Sequence, residues 1–298
     1  MRLAAIDIGS NAARLLITDV ISGPQGVPEF IKTALVRVPL RLGFDVFDKG
    51  EISAIKMEKI LKTIKSYKLL LDVYEVRHLK ACATSAMRDA SNAPEIIKKV
   101  KAETGIEIQI ISGDSEASLI YENHVAESMT RDESYLYVDV GGGSTELTLF
   151  AKNKLVDSRS FNLGAVRYLK GIVKKEDEKE LKKWVKKTTA KHKPLYLIGS
   201  GGNINKIFKL SGTKASKNAS LTIGQVTQVY KLIKSYSLEE RVKNLDMNPD
   251  RADVIIPASE IFIDIMKGCG SSKIYVPKIG LADGIIRQLY REYKEKTK

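Results

Sequence analysis

The chain repeats itself at an offset of 132 residues. Asp7, Gly9, Arg14 and Leu15 of AIDIGSNAARLLI fall on Asp139, Gly141, Glu146 and Leu147 of YVDVGGGSTELTLF, and Asn11 falls on Gly143. Each copy runs apolar–Asp–apolar–Gly, then a short bend, then a second apolar run. That pattern predicts two strands around a tight turn. Two such hairpins in register demand a fold of two related halves. The first half predicts strands at 2–7, 13–20 and 29–38. A helix follows at 52–71, with Ile60, Ile64, Tyr67 and Leu71 at helical spacing, and then a strand at 76–83. Next come a helix at 94–104, with Pro94 just inside its start and Gly105 just past its end, a strand at 106–111 and a helix at 115–128. The order is βββαβαβα.

The order begins again after residue 134. Strands are expected at 135–140, 145–150 and 154–161, a lysine-rich helix at about 176–191, a strand at 195–199 and a helix at 203–210. A helix near 251–267, a strand at 273–276 and a closing helix from about 281 complete the chain. The expected fold is α/β, with duplicated lobes at 1–128 and 129–298, each a mixed sheet with helices packed on it. A cleft between duplicated lobes makes a natural ligand site.

Bulk properties narrow the class. Of 298 residues 43% are hydrophobic and 29% charged, ordinary for a soluble globular protein. Asp7 and Arg14 interrupt the apolar start, which argues against a secretory leader. The run IIPASEIFIDIM is broken by Glu260 and Asp264, so no stretch reaches the roughly 20 apolar residues of a membrane span. Cys82 and Cys269 make no disulfide framework, which fits a reducing cytoplasm. His78, His124 and His192 are scattered and no CxxC or HExxH spacing occurs, so any metal would sit on oxygen ligands.

The formal charge is +13, and residues 151–220, with 16 Lys, 2 Arg and 5 acids, carry all of it. A concentrated positive field speeds the capture of polyanions. The plainer account is a solvated helix, because EDEKELKKWVKKTTAK keeps Leu181, Trp184, Val185 and Thr188 on one stripe.

The glycines of DVGGGSTE pose a chemical question. A glycine turn exposes successive backbone N–H groups that can hold phosphate oxygens. Carboxylates beside it would repel phosphate unless a cation intervenes, so Asp139 and Glu146, with Asp7 from the first copy, point to Mg²⁺ or another divalent ion. A turn whose Asp and Ser only satisfy local amides is the alternative for either copy alone. A third glycine loop, IGSGGNINK, follows a strand and precedes a helix, where it could take another phosphate or only allow close packing. Glu116, in the first turn of a helix, and Arg88, after a strand end, are further candidates. Helix-dipole stabilisation and a surface arginine are their ordinary explanations.

AIDIGSNAARLLI, ATSAMRDASN, ISGDSEA, VDVGGGSTEL, LGAVR, GSGGN and GLADG occur in order between residues 5 and 284. Together they closely resemble the exopolyphosphatase/guanosine pentaphosphate phosphatase family, within the superfamily of actin, sugar kinases and heat-shock-protein ATPases. The resemblance implies two ribonuclease-H-like lobes with the active site between them, and Mg²⁺-dependent removal of a terminal phosphate. It implies that Glu116 orients and deprotonates the attacking water and that Arg88 contacts the transferring phosphoryl. Asp7, Asp139 and Glu146 match the metal-side carboxylates, and Ser10, Asn11, Arg14, Gly141, Gly142, Gly143 and Ser144 match the phosphate-gripping turns. The chain departs from the pattern at Ala12 (usually Ser), Asn203 (usually Thr) and Ala282–Asp283 (usually Arg–Glu), which bears on substrate preference. It resembles a short form without the C-terminal HD-type extension.

The expected activity is cytoplasmic hydrolysis of inorganic polyphosphate, with guanosine pentaphosphate as the rival substrate. An actin-like-fold kinase and a non-catalytic polyanion binder are more distant alternatives. No membrane partner is expected, and few aromatics interleave with the lysines, which argues against nucleic acid. A homodimer is compatible with the sequence.

Overall fold

The computed structural model describes residues 1–116, 118–119, 133–152, 154–193, 195–214, 216, 219–277 and 279–296. The chain divides into two compact units, Met1–Asn123 with Leu281–Lys298, and His124–Gly280.

The first unit holds β1 (Arg2–Ile8), β2 (Ala12–Ser22), β3 (Pro28–Pro39), β4 (His78–Ala83) and β5 (Ile108–Ile110) in the order β3-β2-β1-β4-β5. The β1–β2 and β2–β3 pairs are antiparallel, and β1–β4 and β4–β5 are parallel. Helices Ala54–Val73 and Ala93–Thr104 cover one face, where Ile60, Ile64, Tyr67, Ile96 and Val100 join Ala4, Ile6, Leu15 and Ile17 in one core. The Tyr67 hydroxyl donates to the Ala13 and Val36 carbonyls at 3.1 and 3.2 Å, so its polar tip is satisfied inside that core. Gly105 caps the second helix at φ 71°, the left-handed turn its sequence position suggested.

The closing helix, Leu281–Lys296, packs against β1, β2 and β4. Lys80 Nζ meets Gln288 Oε1 at 3.0 Å and Glu292 Oε1 at 2.8 Å, Lys32 pairs with Asp283 at 2.6 Å, and Phe30 meets Tyr290 edge-on. The helix therefore belongs with the first unit, whereas order along the chain placed it in 129–298. Its stripe of Leu281, Ala282, Ile285 and Ile286 needs an apolar surface, and the sequence does not say which sheet face is still open. Residues 113–116 and 118–119 are helical, and the rest of the helix expected over 115–128 lies outside the described residues.

The second unit holds β6 (Ser134–Val140), β7 (Thr145–Ala151), β8 (Lys154–Phe161), β9 (Leu195–Ser200), β10 (Ser220–Thr222) and β11 (Lys273–Tyr275), ordered β10-β11-β9-β6-β7-β8. Without β10 this is the strand order of the first unit, with the same antiparallel hairpin and parallel crossover. Both are ribonuclease-H-like sheets. Helix Ile255–Cys269 packs on β6 and on helices Ala165–Leu169, Lys175–Thr189, Gly202–Leu210 and Ile223–Ser235. Helices Ile223–Ser235 and Leu238–Asn244 were not foreseen. Each opens with a capping box, Thr222 with Gln225 and Ser237 with Glu240, a signal present in the sequence. Both cysteines are free and buried. Among the described residues no helix is long and apolar enough to cross a membrane.

Candidate active site

The 132-residue offset survives as three-dimensional register. Asp7 pairs across the hairpin with Arg14, and Asp139 with Glu146. The turns close alike: Gly9 N donates to Ala12 O at 3.0 Å, and Gly141 N to Ser144 O at 2.9 Å.

What orients these turns is the capture of their carbonyls. Gly141 O accepts from Ala165 N at 2.9 Å, Gly142 O from Val166 N at 2.8 Å, and Gly143 O from Arg167 Nε at 2.7 Å. In a planar trans peptide the N–H points away from the C=O. Pinning three carbonyls toward helix Ala165–Leu169 therefore turns the N–H groups of Gly142, Gly143 and Ser144 the other way. No acceptor among the described residues takes them. Gly164 makes this approach possible, because a Cβ there would lie 2.2 Å from Gly142 O. In the first unit the matching carbonyls are held too: Ser10 O by Gly43 N at 2.8 Å, and Asn11 O by Leu40 N and Arg41 N at 3.1 and 2.9 Å. Ser10 Oγ also lies 2.7 Å from Ser85 Oγ, tying the turn to the helix that follows β4.

A row of polar residues crosses each sheet at this level. In the second unit it runs Ser160, Glu146, Asp139, Ser200. In the first it runs Arg37, Arg14, Asp7, Cys82. The chemistry differs. Asp7 is buried and its Oδ2 lies 2.6 Å from Arg14 Nη1, so two residues expected at a metal and at phosphate are ion-paired with one another. At the Arg14 position the second unit places Glu146, buried opposite Asp139, with its Oε1 2.9 Å from Ser160 Oγ. Like charges facing each other across a strand pair repel.

A divalent ion fits this donor set. Mg²⁺ commonly binds through one or two carboxylates, with waters and phosphate completing its shell. Asp139 and Glu146 supply the carboxylates. The Ser200 hydroxyl on the same row is buried and has no hydrogen-bond partner among the described residues. No group of three or more His, Cys, Asp or Glu suited to a metal occurs among the described residues.

Gly201 abuts this row. Its φ of 91° and ψ of 174° lie in a region open essentially only to glycine, and a Cβ there would lie 2.8 Å from Asp139 Oδ1. Asn203 Nδ2 reaches toward Val140 O at 3.5 Å, at the end of the strand that carries Asp139.

In the first unit β4 ends at Ala83, whose carbonyl accepts from Ile111 N at 3.0 Å. Arg88 Nη1 donates to Ile111 O at 2.8 Å, which fixes the guanidinium beside the segment leading to Glu116. Glu116 is half-buried, with Oε2 shielded from solvent. Burial pushes the Cys82 thiol up to about 11; the Lys80 ammonium opposes the rise, and the carboxylates of Asp7, Glu292 and Glu116 add to it. Sequence reasoning missed Ser160, Gly164, Arg167 and Ser200. LGAVR was visible as a motif, but the carbonyls that Arg167 and its neighbours hold are not.

Two ribonuclease-H-like units of matching register, with carboxylates beside glycine turns, define a duplicated α/β protein of the phosphate-handling class. Residues 29–292 match the Ppx/GppA phosphatase family, and the chain belongs to that family. A bifunctional 3-dehydroquinate synthase/phosphatase of Fusobacterium nucleatum is 30% identical over 299 residues, covering 92% of this chain and 44% of the relative. The chain thus spans less than half the length of that relative. Exopolyphosphatase 1 of Mycobacterium tuberculosis is 24% identical, over 96% of this chain and 87% of its own. Among solved structures, a Ppx/GppA family member from Aquifex aeolicus is 28% identical with TM-score 0.76, and an exopolyphosphatase from Cytophaga hutchinsonii 25% identical with TM-score 0.85. Each match covers 99% of this chain and 98% of the other.

Proposed function

We propose that this chain is a divalent-cation-dependent exopolyphosphatase that releases the terminal phosphate of inorganic polyphosphate. The observation that carries this reading is the pinning of the Gly141, Gly142 and Gly143 carbonyls beside the facing pair Asp139 and Glu146. It leaves main-chain donors for phosphate oxygens next to carboxylates suited to a hard cation. When bound, Mg²⁺ supplies neutralisation of the phosphate charge. Asp139 and Glu146 would hold it.

In this reading Glu116 orients the attacking water and accepts its proton. Arg88, whose guanidinium keeps donors beyond the one given to Ile111 O, contacts the transferring phosphoryl. The turns at Ser10, Asn11 and Gly141–Ser144 grip the anionic chain. Phosphoryl transfer asks mainly for positioning and charge stabilisation, which fixed amides and held cations provide.

The test is phosphate release from short polyphosphate, long polyphosphate and guanosine pentaphosphate, side by side with Mg²⁺. Loss of a general base lowers turnover by about 10²- to 10⁴-fold, the expected effect of Glu116→Gln. Equal rates for the two proteins would remove Glu116 from the mechanism. A large kcat/KM preference for the nucleotide would reassign the substrate.

A further inference from the structure

We propose that the exposed face of helix Lys175–Thr189 is a capture surface for the distal part of a linear polyphosphate chain. This rests on the reading of the protein as a polyphosphatase and adds a substrate-binding surface outside the reacting end.

The helix buries Leu181, Trp184, Val185 and Thr189, which turns Lys175, Lys179, Lys182, Lys183, Lys186 and Lys187 to solvent, together with Glu176 and with Glu180, which pairs with Arg159. At helical spacing, 175/179, 179/183, 182/186 and 183/187 are all like-charge pairs four residues apart, an arrangement that destabilises a helix. The one opposite-charge pair at that spacing is Glu178 with Lys182, whereas helix Ala54–Val73 carries Glu58–Lys62 and Lys68–Asp72 ion pairs four residues apart. The macrodipole accounts for Glu176, Asp177 and Glu178 in the first turn and for Lys186 and Lys187 in the last. It does not account for Lys179, Lys182 and Lys183 stacked between them.

Lys182 pairs with Asp264 at 3.4 Å. Lys175, Lys179, Lys183, Lys186 and Lys187 have no ion-pair partner among the described residues. Neighbouring lysines at this spacing stand about 5–6 Å apart, inside the roughly 8 Å screening length of physiological salt, so their potentials add.

The basic face is braced to the glycine turn of its own unit. Arg167 Nε holds Gly143 O at 2.7 Å, and the next residue, Tyr168, donates through its hydroxyl to Glu178 Oε1 at 2.9 Å. Lys170 and Lys174 lie on the connection between the two helices. Lysines therefore line the connection and the helix that follows it, in the same unit as the turn. Of the neighbouring rings, Phe161 and Trp184 pack edge-on and are buried, and Tyr168 is half-buried with its hydroxyl on Glu178, so no fully exposed ring offers a platform for stacking bases. Dense charge without exposed aromatics favours inorganic polyphosphate over RNA.

The experiment compares wild type with Lys179→Gln/Lys183→Gln/Lys186→Gln/Lys187→Gln on long-chain polyphosphate and on tripolyphosphate across a salt series. The expected result is a rise of about tenfold or more in KM for the long chain, with kcat and the tripolyphosphate KM within about twofold. With about 0.7 lost per neutralised phosphate on a single-stranded polyanion, four lysines should flatten the log–log salt slope of long-chain binding by about 3. Relief of like-charge pairs should leave the variant's Tm equal or higher. An unchanged long-chain KM, or equal losses on both substrates, overturns the surface.

If the wild type releases no phosphate from any chain, the enzymatic reading fails and the surface is judged separately, by fluorescence anisotropy with end-labelled long-chain polyphosphate. Binding that weakens in the variant supports the surface; equal binding overturns it. Tighter binding of single-stranded RNA of equal length at the same salt overturns the partner class.

Discussion

Arg14 and Glu146 hold the same place in two hairpins built alike, each facing the aspartate of the neighbouring strand, Asp7 for Arg14 and Asp139 for Glu146. One hairpin thus carries its own cation and the other a second anion. A duplication whose backbone register is preserved has diverged at the position that sets the charge of each turn. The first turn is neutralised within the protein. The second, in the function proposed above, holds a cation from solution.

Arg14 should accordingly matter to folding. Replacing it by Gln takes the guanidinium from the buried Asp7 carboxylate, and leaving a buried acceptor without its donor costs about 1–3 kcal/mol. Urea unfolding should show the loss as a lower midpoint at unchanged m value. The Asp7→Asn/Arg14→Gln double variant should recover most of it, because no buried charge remains. A single variant as stable as the double would show that the pair does not stabilise the hairpin.

Gly164→Ala addresses how the second turn is held. The new Cβ would meet the Gly142 carbonyl, a backbone atom that cannot swing aside as a side-chain tip can. Overpacking of this kind costs about 1–3 kcal/mol and should push helix Ala165–Leu169 off the turn. Because a displacement of about 1 Å near reacting groups can cost about 10²-fold in rate, phosphate release should fall by that order while the protein still folds. Full activity in the alanine variant would dissociate the pinned carbonyls from function.

Ser160→Ala tests the carboxylate row. It removes the 2.9 Å hydrogen bond to Glu146 Oε1 from a half-buried position, with little effect on packing. Loss of a partner that orients a metal-binding carboxylate typically costs about 10- to 100-fold in metal affinity, so the Mg²⁺ concentration for half-maximal activity should rise by about tenfold or more. The Mg²⁺-induced increase in Tm should shrink in parallel. Identical Mg²⁺ titrations would show that Glu146 does not depend on Ser160.

The hairpins, helix Ala93–Thr104 and the buried stripe of the lysine-rich helix were legible because their signals are local. Alternation sets a strand face, Pro94 and Gly105 bracket a helix, and Leu181, Trp184 and Val185 recur at helical spacing. Five-residue helices such as Ser85–Asp89 and Ala165–Leu169 are too short to show a period, yet the second of these holds the glycine carbonyls. The closing helix showed its apolar stripe but not its destination. Nor did the repeat show that Asp7 and Arg14, expected at a metal and at phosphate, are ion-paired with one another.

Sequence by itself determined the duplication, the positions of both turns and the excess of lysine on one segment, since each is a matter of residue type at fixed spacing. Only the tertiary structure decided which way the glycine peptides face, because donors 24 residues along the chain hold their carbonyls. It also decided that Ser160 and Ser200 join the acidic row and that the last helix completes the first unit. Strand register and the choice of packing surface are relations between distant segments, and no local pattern of residues encodes them.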